Sequence, residues 1–364
     1  MTKLFYWGIT KKGYRQESLL HVINELQQFV VIFCRKQPQY SNKIIKFIRE
    51  NINQILDLPT LIRSDLVYIP PMEHSICKTI LCRVFRKKVI CDIYAPIYDM
   101  TVNDEKIYSK KSLMGRLYYL RDKMAMKYSS RVLFLSEAEC NYFLQTVGLT
   151  KEKVKVEVVP LVIPAGEAAK LRYYKGEKAT LEMCWTGSFI SLQGLEKILA
   201  AAEILSKKEL PLKIHIIGPR GMAREKYMTY VERKNLTGIV DFPDLWGDVS
   251  KWKQYIAEKC DVTLGIFGDS QKARSVLANK VVDGIASRTP VLTAESSGID
   301  CFDLKQDIFT VKNEPIMIAQ QMETMCALSY ETVRVRVEHA YSIYAQQFTY
   351  TVFRENIRRI IGDL

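Results

Sequence analysis

Several patterns are absent from this chain, and each absence removes a class of chemistry. No two of the nine cysteines stand at Cys-x-x-Cys spacing, so neither a zinc ribbon nor a dithiol redox motif is encoded. The four histidines, at 21, 74, 215 and 339, lie far apart, and no metal site is expected from them. There is no Gly-x-Gly-x-x-Gly and no Gly-x4-Gly-Lys-Ser/Thr, which removes the usual dinucleotide and P-loop fingerprints. Asp-x-Asp is also missing. Nowhere do eighteen apolar residues run together, and only seven residues separate Lys3 from Lys11, too few for a signal-peptide core. The expectation is a cytoplasmic protein, or one peripheral on the cytoplasmic face of a membrane.

What is present is a long, ordered, basic chain. Its 364 residues exceed what one core usually serves, so two domains are expected. A hydrophobic share of 48% without low-complexity tracts places the whole chain among globular proteins. The cysteines sit in apolar runs such as "VIFC" and "KVICD" and read as buried free thiols. The net charge of +13 is uneven: residues 1–165 carry 26 Lys and Arg against 15 Asp and Glu, while the rest is nearly balanced. The first half should face something anionic, whether lipid head groups, a lipid pyrophosphate or nucleic acid.

Short Val/Ile/Leu/Phe runs alternate with helical patterns from end to end. Continuous apolar runs indicate strands covered on both faces, as in a parallel sheet between helix layers. The reading is α/β with two doubly wound Rossmann-like domains: 1–165, then 166–345 after a polar connection at 165–180, with 346–364 a terminal helix that crosses back to the first domain. Their ligand is expected where the C-terminal ends of the strands face each other. A helical pattern at 42–56 and a basic helix from about 110 to 128 belong to the first domain. In the latter, Leu113, Leu117, Leu120 and Met124 form one stripe, which in a globular domain is usually core.

Two segments of the second half carry the chemistry. In "WTGSFISLQGLEKILAAAEIL" a strand enters a loop at Gly187, and Gly194 opens a helix whose first N–H groups suit an anion. A simple packing turn would look the same. In "GIFGDSQKARSVLANKVVDGIASRTPVLT" a strand ends in a polar loop before a helix bearing Asn279, Lys280 and Asp283. Lys280 and Asp283 share a helix face, which suits a diphosphate and ribose hydroxyls, or equally a surface ion pair.

In their order, these segments, with "LKIHIIGPRG" and "VDFPDLWGDV", resemble the donor half of GT-B glycosyltransferases of the family 4 and group 1 type. "SRVLFLSEAECNYFLQTVGLTKEKVKVEVVPLVIP" is similar to that family's passage into its linker. The resemblance implies a nucleotide-sugar donor, UDP- or GDP-linked, as substrate, with no cofactor. Where the family has two glutamates seven residues apart, this chain has Ser275 and Asp283. Where it often has Arg and Lys in the glycine loop, this chain has Ser188 and Gln193, so Lys272, Arg274 and Lys280 are expected to neutralise the diphosphate. The base is expected near Pro219, Arg220, Pro243 and Trp246.

On the acceptor side, the resemblance points to Gly8, Gly13 and Arg15 near the transferred sugar. Asp92, Tyr98, Asp99 and Asp104 follow a buried strand, and Asp99, Asp92 or His74 are candidate bases, although each is individually more often a cap or turn residue. Transfer without a metal and with retained configuration is expected. The acceptor implied is a glycan or lipid-linked hydroxyl, in surface polysaccharide or glycoconjugate synthesis, with possible association to an anionic membrane and no nucleic acid. A nucleotide-sugar epimerase of the same fold, or a donor-binding partner subunit without turnover, is the alternative reading.

Overall fold

The computed structural model describes residues 1–9, 13–35, 49, 52–164, 180–303 and 306–364. The helical pattern at 42–56 and the connection at 165–180 fall largely outside them. The chain forms two compact units, Met1–Val162 with Tyr350–Leu364, and Ile163–Thr349.

In the first unit the order is β1 (Thr2–Tyr6), α1 (Tyr14–Glu25), β2 (Phe29–Phe33), α2 (Leu58–Arg63), β3 (Leu66–Ile69), α3 (Ile76–Val84), β4 (Lys88–Asp92), α4 (Leu113–Tyr128), β5 (Arg131–Phe134), α5 (Glu137–Thr146) and β6 (Val156–Val158). The strands pair in parallel as β2-β1-β3-β4-β5-β6, so the order reverses between β1 and β3. Every residue of β3 is buried, as expected for a strand covered on both faces. Ser75, Ser112 and Ser136 begin α3, α4 and α5 by accepting an N–H from the first turn, the capping role their sequence positions suggest.

The second unit contains β7 (Leu181–Thr186), α6 (Leu195–Leu205), β8 (Leu212–Ile217), α7 (Met222–Arg233), β9 (Val240–Asp241), α8 (Val249–Lys259), β10 (Val262–Leu264), α9 (Asn279–Ala286), β11 (Val291–Ala294), β12 (Phe309–Val311), α10 (Pro315–Cys326) and α11 (Tyr330–Gln347). Its parallel sheet runs β9-β8-β7-β10-β11-β12, reversing between β7 and β10. In open sheets of this kind the crevice beyond the carboxyl ends at the reversal is where ligands bind.

The last helix, α12 (Tyr350–Gly362), belongs to the first unit. Phe353, Ile357 and Ile360, spaced four and three apart, enter that unit's core beside Leu19, Val22 and Ile23 of α1. Tyr350 donates to Glu25 at 3.1 Å and Arg359 to Glu157 at 2.8 Å.

One expectation about packing is overturned. The α4 stripe is not core: Leu113, Leu117 and Leu120 are exposed and Met124 half-buried, while the helix packs through Gly115, Asp122, Ala125 and Met126. Among the described residues no helix is long and apolar enough to cross a membrane.

Candidate functional site

The reversal in the second unit is built by glycines. Gly194 sits at φ +62°, and a Cβ there would stand 2.2 Å from the Phe267 carbonyl. One on Gly268 would meet the Leu192 carbonyl oxygen at the same 2.2 Å. The loop after β7 and the loop after β10 therefore press backbone to backbone, a closeness only glycine permits. The Phe267 N–H donates to the Gln193 carbonyl at 3.1 Å, and the Gln193 side chain accepts the Ser188 N–H at 3.0 Å. Beneath the loop, Phe189, itself at φ +62°, stacks on Trp185 with centroids 5.6 Å apart.

Two helices start at this edge, α6 after β7 and α9 after β10. Neither has a side-chain cap, since Gly194 and Ala278 occupy the cap positions. Their first-turn amides and dipoles offer positive potential to an anion. Lys197 of α6 fixes the rim by donating to the Asn313 carbonyl at 2.7 Å and pairing with Asp269.

Of the residues expected to hold a donor, Ser188, Arg274 and Asn279 are exposed beside these loops. Arg220 is exposed as well; together with Arg224 it grips Asp244, tying the loop after β8 to the loop after β9. The two guanidiniums hold the Asp244 carboxyl down at about 2.

The others lie deeper than the sequence suggested. Lys272 and Ser275 are buried, and the Ser275 hydroxyl donates to the Gln271 carbonyl at 2.9 Å, holding the loop. Lys280 and Asp283 do share a helix face, but it is turned inward. Asp283 pairs with Lys253 of α8 at 3.0 Å, and burial raises its pKa against the pull of that lysine. Among the described residues the Lys280 amine has no hydrogen-bond partner, and it lies 4.2 Å from the centroid of the Trp185 ring. Burial lowers it to about 7, the nearby Cys184 opposing weakly. Lys280, Asp283, Thr186 and Cys184 line a cavity of about 20 Å³, room for roughly one water. The Lys280 and Asp283 side chains therefore face this cavity and not the exposed loops beside Ser188 and Arg274.

The first unit's edge is closed differently. Arg15 donates from Nε to Asp92 at 2.7 Å and from Nη1 to the Val159 and Pro160 carbonyls at 2.9 and 3.1 Å. Tyr68 donates to the same Asp92 oxygen at 2.8 Å. His74 Nε2 lies 2.6 Å from Asp122, whose other oxygen accepts the Tyr98 N–H at 2.7 Å. Burial pulls the His74 pKa down while Asp122 pulls it up, with burial prevailing. Asp99 accepts from Tyr142 at 2.5 Å and from Asn103 at 3.2 Å. Asp92, His74, Asp99 and Arg15 are all buried, and their hydrogen bonds fasten strand ends and loops. Gly13 is exposed and uncrowded just before α1.

Sequence reasoning missed three fastenings. Asp122 lies 48 residues from His74. Lys253 is the partner of Asp283. Lys78 is buried and donates to the Trp7 and Glu73 carbonyls at 2.8 and 2.7 Å, holding the loop on which a Gly8 Cβ would strike Pro70. No local pattern marks any of them, because each partner arrives from another element.

No family profile matches the chain, and no curated protein matches it in sequence. Its structure is similar over its whole length to solved structures. HepE of Anabaena, solved in complex with UDP-glucose, superposes with a TM-score of 0.71 at 14% identity, covering 100% of both chains. Sucrose-phosphate synthase of Thermosynechococcus elongatus gives 0.75 at 10% identity, covering 100% of this chain and 99% of that one. A glycosyltransferase of Rickettsia africae gives 0.67 at 9%, covering 100% and 98%. Two parallel six-stranded sheets, each with its own helices, and full-length agreement with these structures give the chain the GT-B fold of glycosyltransferases.

Proposed function

We propose that this protein is a glycosyltransferase that takes a sugar from a nucleoside diphosphate carried at the β7/β10 edge of its second unit. The carrying observation is the glycine-built floor between two helix starts without side-chain caps, in a fold for which HepE is solved holding UDP-glucose. The diphosphate is held by first-turn amides of α6 and α9, with Ser188, Asn279 and Arg274 at its rim. Arg220 stands at the base-binding edge. Epimerisation and donor binding without turnover are not favoured by any feature of the site.

In the transfer step the acceptor hydroxyl oxygen bonds to the anomeric carbon as that carbon's bond to the diphosphate oxygen breaks. The hydroxyl proton passes to the departing phosphate oxygen. This route is favoured here because His74, Asp92 and Asp99 are buried in pairs of their own. It corresponds to retained configuration, and stabilisation of the leaving diphosphate by fixed N–H donors and cations is its main requirement. The absence of any Asp-x-Asp supports transfer without a bound metal. The acceptor is a hydroxyl of a glycan or lipid-linked carrier, met at the cytoplasmic face of a membrane.

Calorimetric titration with UDP- and GDP-sugars, followed by transfer assays with the tightest binder, tests the proposal. Micromolar binding of a nucleotide sugar with slow hydrolysis in the absence of acceptor is expected. No binding across the panel would sink it. Loss of turnover in chelator with recovery on adding metal would overturn the metal-free step, and an inverted product by proton NMR the retaining one.

A further inference from the structure

The segment Lys106–Leu120 does not behave like the surface of a water-bound helix. It exposes four large aliphatic side chains, Ile107 at 57%, Leu113 at 73%, Leu117 at 40% and Leu120 at 44%. The three leucines of α4 stand at i, i+4 and i+7, one continuous stripe. Interleaved with them are four exposed cations, Lys106, Lys110, Lys111 and Arg116. Among the described residues none of these four forms a salt bridge.

The arrangement is held firmly. Ser112 caps α4 by accepting the Gly115 N–H at 3.1 Å, and its own hydroxyl donates to the Ser109 carbonyl at 2.7 Å. A Cβ on Gly115 would stand 2.3 Å from that carbonyl oxygen, so the turn carrying Lys110 and Lys111 is pressed against the helix. Those lysines sit at the helix N-terminus, where the dipole opposes positive charge, and no acid in the first turn offsets them. The helix's one carboxylate, Asp122, is buried against His74. Intrinsic stability therefore does not explain the charge. Apolar side chains at the centre with cations around them, and no exposed acid on α4, complement an anionic lipid surface.

We propose that Lys106–Leu120 is an interfacial anchor that seats the first unit on an anionic bilayer, with Ile107, Leu113, Leu117 and Leu120 entering the acyl boundary and the four cations meeting phosphate head groups. Because α4 follows β4, the anchor lies at the carboxyl edge of that unit's sheet. Resting on the transferase reading above, this makes a membrane-borne lipid the carrier of the acceptor hydroxyl.

Co-sedimentation of the full chain with vesicles of phosphatidylcholine alone, or mixed with phosphatidylglycerol, tests the anchor without any turnover. Binding only to the anionic vesicles, weakened by salt, is expected. Each cation near such a surface contributes about fivefold in affinity, so Lys110→Glu/Lys111→Glu/Arg116→Glu should bind at least roughly 100-fold more weakly. Leu113→Ser/Leu117→Ser should lose binding while keeping its circular dichroism and melting temperature, since both leucines are already in water. Equal binding to neutral vesicles, no binding to either, or displacement from vesicles by duplex DNA at stoichiometric amounts would overturn the anchor. So would a dimer that Leu113→Ser/Leu117→Ser converts to monomer without any vesicle binding, since the stripe would then be a self-interface. Vesicle binding without nucleotide-sugar binding would leave the anchor standing and remove the transferase reading.

Discussion

The two sheets reverse at corresponding places, but their carboxyl edges are finished by different means. In the first unit the edge is closed by buried side-chain pairs, the ion pair of Arg15 with Asp92 and the hydrogen bond of His74 with Asp122, and by Lys78 on two carbonyls. In the second unit it is built from backbone, with Gly194 and Gly268 letting two loops meet and two helix starts left without side-chain caps. Charge is also spent differently. Many second-unit cations are paired, as in Lys208 with Glu323, Lys234 with Glu203 and Lys253 with Asp283, whereas the lysines before α4 stand open. Paired charge inside a unit holds its shape, while unpaired charge outside and bare amides remain available to a ligand.

The comparison can be broken most severely at Asp92. Asp92→Ala leaves Arg15 as a buried cation without its carboxylate, and should cost about 3–5 kcal/mol in urea unfolding. A loss below 1 kcal/mol would mean that the first edge does not depend on that ion pair. Next comes Gly194→Ala. A left-handed residue with a Cβ costs about 1–2 kcal/mol before the clash with Phe267 is added. Nucleotide-sugar affinity should fall more than tenfold, whereas the same substitution at uncrowded Gly13 should leave affinity within twofold.

An effect with a definite pH signature is expected at Lys280. Its folded pKa, about 7, lies below the ordinary 10.5, so between those values the unfolded chain holds a proton that the folded one lacks. Stability therefore rises with pH across that window, and the destabilisation is complete below about 7. Lys280→Met should melt higher than the parent protein at pH 6, with the gap narrowing toward pH 10. A gap independent of pH would show that the amine is not buried. The smallest effect is reserved for Arg220→Ala, which should leave the melting temperature nearly unchanged because Arg220 is exposed and Arg224 still holds Asp244, yet weaken nucleotide binding severalfold if the second edge holds the base there.

The strand and helix alternation and the glycine loop were legible because each is written in local periodicity. Gly187 and Gly194 stood out as loop residues from their place between a strand and a helix. The inward turn of Lys280 and Asp283 was not legible, because a spacing of three fixes a shared face but not the side of the sheet to which it points. Nor was the exposure of Leu113, Leu117 and Leu120, since an apolar stripe reads alike whether it faces a core or a lipid.

The sequence by itself determined the two doubly wound units, the excess of positive charge in the first, and the lack of fingerprints for other nucleotide enzymes. These follow from composition, period and motif, which are properties of neighbours along the chain. Only the tertiary structure decided which charges are buried together and which face outward. Arg15 meets Asp92 across 77 residues and His74 meets Asp122 across 48, and no local rule couples positions that far apart.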